Sequence, residues 1–125
     1  MLMFVAEKRI DIFTGIESAL QGRVEFIAPN AVLTELSKLS QQRSKRARYA
    51  RMALALTEKC KTWKEERVEK ESTDDYLTRV AEKIGGLIAT GDAELVRKAR
   101  NANIPVVYLK RDLRLAVEGL DPAYR

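Results

Sequence analysis

The chain has 125 residues, 46% hydrophobic and 33% charged, and its 23 Lys and Arg against 18 Asp and Glu leave a net charge of +5. This is the balance of one folded domain, residues 1–125, and it holds no run near the roughly 18 apolar residues that a membrane span requires. Histidine is absent, which removes Ser-His-Asp triads, Cys-His pairs and zinc fingers and leaves carboxylates, lysine, hydroxyls and backbone to carry any chemistry.

Cys60 is the single cysteine; it excludes an internal disulfide and suits a reducing compartment. Lying near the end of a helical stretch, it reads as a partly buried structural thiol. The opening Met1-Leu2-Met3-Phe4-Val5-Ala6 lacks the basic start and the cleavage site of a secretory signal. Together these features point to a cytoplasmic protein with no membrane partner. The basic excess favours anionic partners, nucleic acid among them.

In chain order, Ile10, Phe13, Ile16 and Leu20 recur at helical spacing over residues 8–20, and Gly22 ends that segment. Residues 24–28 (Val-Glu-Phe-Ile-Ala) predict a short strand. Pro29 and Asn30 close it and open a helix for which Asn30 is the expected N-cap, with Val32, Leu33, Leu36 and Leu39 on one side. After a break near Ser40, a second helix is expected over about residues 43–59, its apolar members including Tyr49, Met52, Ala53 and Leu56. Residues 63–68 are a candidate strand.

Further on, Ser72 or Thr73 caps a helix running through Ile84, with Asp74 and Asp75 in its first turn, where carboxylates suit the helix dipole. Gly85-Gly86 ends it and Leu87-Ile88-Ala89 predicts a buried strand. Thr90-Gly91-Asp92 turns the chain into a helix reaching about Ala102, and residues 104–109 predict the next strand. Strands alternating with helices through short loops argue for an α/β fold whose mostly parallel sheet is covered on both faces. In such sheets the ligand site lies beyond the carboxyl ends of the strands.

Three carboxylates occupy such positions: Glu35 in the first turns of a post-strand helix, Asp74 at a helix start and Asp92 just past a strand end. Taken one at a time, Glu35 reads as a solvated acid, Asp74 as a helix-start carboxylate and Asp92 as an N-cap. Taken together, clustered carboxylates repel and persist best around a divalent cation, and oxygen ligands select Mg²⁺ or Mn²⁺. Two such ions can activate a water and stabilise the leaving oxygen of a phosphodiester.

Thr90-Gly91-Asp92-Ala93-Glu94-Leu95 followed by Ile104-Pro105-Val106-Val107-Tyr108-Leu109 resembles the closing half of a PIN domain. Asp74-Asp75-Tyr76-Leu77 and the helix ending at Gly85 stand at the matching spacing, and Pro29-Asn30-Ala31-Val32-Leu33-Thr34-Glu35-Leu36 resembles the family's second strand-to-helix segment. The resemblance implies an α/β/α sandwich and an Mg²⁺- or Mn²⁺-dependent endoribonuclease. It also implies Glu35, Asp74 and Asp92 as catalytic metal ligands, with Thr90 orienting the site and Asp75 and Glu94 as accessory acids. The archaeal rRNA-processing type is matched somewhat better than the toxin type, whose partner would be a small antitoxin protein. Homodimers are common in the family.

The departure lies at the start. The family opens with an apolar strand ending in Asp, whereas Met1-Leu2-Met3-Phe4 resembles the residues after that motif and Asp11 falls too late. The expectation is therefore an N-terminally incomplete PIN-like domain, either truncated or naturally short with a degenerate site. In either case the sheet lacks a central strand, and the gap is left open or filled by another segment or a second chain.

The stretch Arg43-Ser44-Lys45-Arg46-Ala47-Arg48-Tyr49-Ala50-Arg51 offers Arg43, Lys45, Arg46 and Arg48 as candidate RNA contacts. Its cations spread around the helix, so a merely solvated face is an equal reading, and Tyr49 suits core better than base stacking. A catalytically impaired RNA- or protein-binding module of the same fold is the main alternative to the nuclease. A phosphoacceptor domain is weaker, since Lys110 is the only part of its pattern present.

Overall fold

A computed structural model describes residues 11–112 and 114–119. The opening apolar segment and residues 8–10 of the first expected helix lie outside the described residues. The described chain falls into two compact units: Glu25–Arg67, and Ile12–Val24 together with the chain from Val68 onward.

The Glu25–Arg67 unit opens with strand β1, Ile27–Pro29, which runs directly into helix α2, Asn30–Ser40. Helix α3, Lys45–Leu56, follows, then a 3-10 turn, Thr57–Lys59, and strand β2, Lys61–Trp63. β1 and β2 pair in parallel, Ile27 opposite Lys61 and Pro29 opposite Trp63. The second strand is therefore 61–63 rather than 63–68. Its predecessor Cys60 leaves the 3-10 turn in extended geometry, and the acidic and basic residues beyond Trp63 have no strand partner to bury against.

Asn30 is the first residue of α2, and Pro29 holds the capping position with no side-chain cap, which corrects the expected N-cap. The Asn30 amide is used elsewhere: its Oδ1 accepts the Glu65 N–H at 3.0 Å, tying the segment after β2 to the start of α2. Ser44 caps α3 by accepting the Ala47 N–H.

The face that α3 buries also differs from the expectation. Ala47, Ala50 and Ala53 are fully buried, while Tyr49, Met52 and Leu56 are only half-buried. Three alanines at three-residue spacing let α2 and α3 approach closely, with Leu36 seated on Ala50 and Ala53 and with Val32, Leu39 and Leu54 around them.

In the other unit, helix α1 is Ile12–Leu20, α4 is Thr73–Ile84 and α5 is Ala93–Asn101. The strands are β3, Ile88–Thr90, β4, Val106–Leu109, and β5, Leu115–Glu118, in spatial order β3-β4-β5. β3 and β4 are parallel, as the βαβ spacing predicts. β5 is antiparallel to β4 and was not expected from its sequence.

Ile88, Val106, Ile104, Leu95, Val96, Ala99 and Ala81 form the core between this sheet and helices α4 and α5. α1 packs on β5 so closely that a Cβ on Gly15 would stand 3.3 Å from Leu115 Cδ1. Gly85 ends α4 in the left-handed region, φ 74°, a geometry that glycine adopts without steric cost.

The α2–α3 contact generates a stability prediction. Ala50→Leu, which inserts a branched side chain where exposure is zero, should cost about 1–3 kcal/mol. Urea unfolding monitored by circular dichroism will measure it, with Ala55→Leu on the exposed side of α3 as the near-neutral comparison.

Candidate functional site

The turn after β3 is built from its own side chains. Thr90 is 4% exposed, and its Oγ1 accepts the Asp92 N–H at 3.1 Å. Asp92 is the N-cap of α5, its Oδ1 accepting the Glu94 N–H at 2.9 Å. A carboxylate placed this way meets the positive end of the helix dipole and is fixed relative to the sheet. Oδ2 makes no hydrogen bond or ion pair among the described residues. Glu94, in the first turn of α5, is ion-paired with Arg97.

Asp74 and Asp75 stand in the first turn of α4, whose cap is Ser72 accepting the Asp75 N–H. The chain leaves α4 through Gly85-Gly86 and enters β3, and the two elements pack on each other. α4 therefore runs back along β3, and its first turn lies at the end of the unit where β3 and β4 finish. Asp92 is at that end too. The side chain of Asp74 is 24% exposed and that of Asp75 64%, so of the two acids Asp74 is the one set into the fold.

Lys98 of α5 serves both carboxylates: its Nζ is 3.8 Å from Asp74 Oδ2 and 3.9 Å from Asp75 Oδ1. Helical side chains lean toward their own N-terminus, so a lysine in the last turn of α5 can reach back in this way. This lysine was missed in the sequence because its partners are more than twenty residues away and no local spacing signals the pair.

A second missed pair fixes the start of α4. Arg79 Nε and Nη2 bond Glu71 Oε2 and Oε1 at 2.8 and 2.9 Å, a two-pronged arrangement, and Glu71 Oε1 also accepts the Val68 N–H. Arg79 lies over the Tyr76 ring, 5.5 Å from its centroid, and Tyr76 is fully buried. The Glu71 side chain is 11% exposed, so this pair is shielded from water and salt in a way that Glu94–Arg97 is not.

Glu35 belongs to the other unit. It is exposed on α2 and ion-paired with Arg67. Arg43, Lys45, Arg46 and Arg48 are all exposed around the start of α3, and Lys45 Nζ sits 6.0 Å from the Tyr49 ring centroid. Among the described residues no three acidic, cysteine or histidine side chains gather into a metal cage. The donors present are oxygens alone, which suits a hard cation that keeps much of its water and is held by one or two carboxylates.

With this geometry the chain belongs to the PIN like domain family, whose model matches residues 1–112. It is 40% identical over 123 residues to Ribonuclease VapC9 of Archaeoglobus fulgidus, spanning 97% of this chain and 86% of that protein. Its fold is that of the PIN domain endonuclease Utp24, with a TM-score of 0.73 at 22% identity over 94% of this chain and 84% of the other. The expected PIN-like α/β architecture is thus the one observed.

Two measurements check the local picture. Glu71→Ala should lower stability by roughly 1–3 kcal/mol, because it removes both carboxylate oxygens of a shielded two-pronged pair, whereas Arg97→Ala at the exposed pair should cost under about 1 kcal/mol. Burial raises the pKa of the half-buried Cys60 thiol above its ordinary value. The thiolate fraction at neutral pH is then smaller, so iodoacetamide should alkylate native Cys60 more slowly than the unfolded chain, with the midpoint of its pH–rate curve displaced upward.

Proposed function

We propose that this protein is a metal-dependent endoribonuclease, with Asp74 and Asp92 as its principal carboxylates. The observation that carries the reading is the placement of Asp92: just past the carboxyl end of β3, fixed by Thr90 and capping α5, with one carboxylate oxygen uncommitted. Mg²⁺ or Mn²⁺ bound there would supply an activated water and offset charge on a phosphodiester. Asp74, held at the same end by the Glu71–Arg79 anchor, adds a second oxygen donor. Thr90 keeps the turn in register, while Asp75 and Glu94 set the surrounding negative potential.

The likeness to a protein named a VapC ribonuclease supports RNA as the substrate. Of the two biological roles open from the sequence, it favours a toxin-type ribonuclease restrained by a small antitoxin protein over rRNA processing. One observation favours a second reading, a binding module with no turnover. Among the described residues Asp74, Asp75 and Glu35 each face a protein cation, and no three acids meet.

Cleavage of an end-labelled structured RNA, run with and without Mn²⁺, separates the two readings. Asp92→Asn is the informative variant, because Asn caps a helix about as well as Asp and so removes the charge while keeping the turn. The nuclease reading expects Mn²⁺-dependent cleavage that falls at least about a hundredfold in Asp92→Asn and in Asp74→Asn. Calorimetric Mn²⁺ titration should weaken in the same variants. RNA binding without cleavage, and without measurable Mn²⁺ uptake, would put the binding module in its place.

A further inference from the structure

We infer that the start of α3 is the surface on which this protein holds RNA, gripping phosphates through Arg43, Lys45, Arg46 and Arg48 without reading base sequence. The inference rests on the ribonuclease reading for its choice of polyanion, and four observations carry the rest.

The first is where the charge sits. Between Glu35 and Glu58 there is no acidic residue, while Lys38, Arg43, Lys45, Arg46, Arg48 and Arg51 all fall in that interval. With Glu35 of α2 set against those six cations, the α2–α3 hairpin carries a net +5, the whole net charge of the chain, and everything outside it is net zero. The basic character of the protein is a property of this hairpin alone.

The second is pairing. Arg67, Arg79, Arg97, Arg100 and Arg114 each bond a carboxylate of the chain. Arg43, Arg46 and Arg48 are exposed and have no ion pair among the described residues. Arg51 gives one N–H to the Ser40 carbonyl at 2.8 Å, so it serves the hairpin turn and is not counted among the contacts.

The third is placement against the helix dipole. α3 has no acid in its first turn and starts instead with Lys45 and Arg46, followed by Arg48. Cations at a helix N-terminus are disfavoured by the helix dipole. The arrangement is relieved when an anion approaches, since phosphate is favoured both by the guanidinium groups and by the helix end.

The fourth decides between nucleic acid and protein as the anion. A protein interface needs an apolar centre within its polar rim. The one large hydrophobic side chain exposed among the described residues is Val68, in the other unit. The buried side of α3 is an alanine ridge already covered by Leu36, and the Tyr49 ring has Lys45 over it. What the start of α3 presents to a partner is mainly charge, which is what a phosphate backbone uses.

The test reads binding apart from cleavage. Fluorescence anisotropy of a short labelled single-stranded RNA of mixed sequence is followed against salt concentration, with EDTA present so that no RNA is cut. Replacing Arg43, Arg46 and Arg48 together by Gln should lower the log–log salt slope by about 2, at roughly 0.7 per phosphate contact on a single strand, and weaken binding by about tenfold or more at moderate salt. The three Arg→Lys replacements should keep the slope. A charge-matched variant, Lys64→Gln with Lys70→Gln and Lys110→Gln, removes exposed cations elsewhere and should leave affinity near that of the parent.

Equal losses in both Gln variants would mean diffuse attraction and overturn the assignment, as would an unchanged slope in the arginine variant. Tighter binding of poly-glutamate than of RNA, lost in the arginine variant, would overturn it in favour of an acidic protein partner. Should the triple variant fail to fold by circular dichroism, Arg48→Glu alone gives the same reading through charge reversal. Hairpin-dependent RNA binding with no Mn²⁺-dependent cleavage sinks the nuclease reading and supports this one. RNA cleavage with binding indifferent to the hairpin does the reverse.

Discussion

Two hydrogen bonds at one turn, Asp92 N–H to Thr90 Oγ1 and Glu94 N–H to Asp92 Oδ1, set what the carboxyl edge of β3 can do. They convert a surface aspartate into a fixed point, because its backbone is tied to a buried threonine and its side chain to the helix it begins. A free carboxylate on a loop would sample many rotamers and lose entropy on meeting any ligand. This one has already lost that freedom during folding. The βαβ connection matters for function mainly because it delivers this preorganised acid.

The acids around the start of α4 and the cations of the hairpin are treated in opposite ways. Asp74 and Asp75 share Lys98, Glu71 grips Arg79, and Glu35 has Arg67. The hairpin cations are left facing water. Neutralising the acids from within moderates repulsion where α4 begins, whereas unneutralised cations project a positive potential whose reach is about a Debye length, roughly 8 Å at physiological salt. The asymmetry fits the proposed RNA ligand, whose phosphates would extend well beyond the turn at Asp92.

Much of the second half was legible because its signals are local. Ser72, Gly85 and Asp92 are a cap, a stop and a cap, each next to the helix it bounds, and each sits within one residue of its expected role. The shifts at β2 and Asn30 have a common cause. Both are set by contacts between distant segments, the pairing of β2 with β1 and the Glu65 N–H to Asn30 Oδ1 bond 35 positions apart, which no window of sequence displays. The buried side of α3 misled for another reason: alanine carries little hydrophobic weight, yet its small size is what close helix approach selects. β5 was invisible because half-buried residues along its whole length give no alternation of apolar and polar. Candidate acids could be named from the PIN resemblance, but the counter-ions Lys98 and Arg67 of Asp74, Asp75 and Glu35 are tertiary facts.

The missing histidine and the half-buried Cys60 have a joint consequence for experiments near neutrality. The ordinary carboxylate range lies below pH 5 and the ordinary lysine range above pH 10, and Cys60 is moved further from neutral by its burial. No side chain of this protein has an ordinary pKa in the interval where histidine usually titrates. The usual side-chain source of a charge change near neutrality is therefore absent from this protein. A sigmoid seen there in a rate or an affinity directs attention to the α-amino group or to a proton on something the protein has bound.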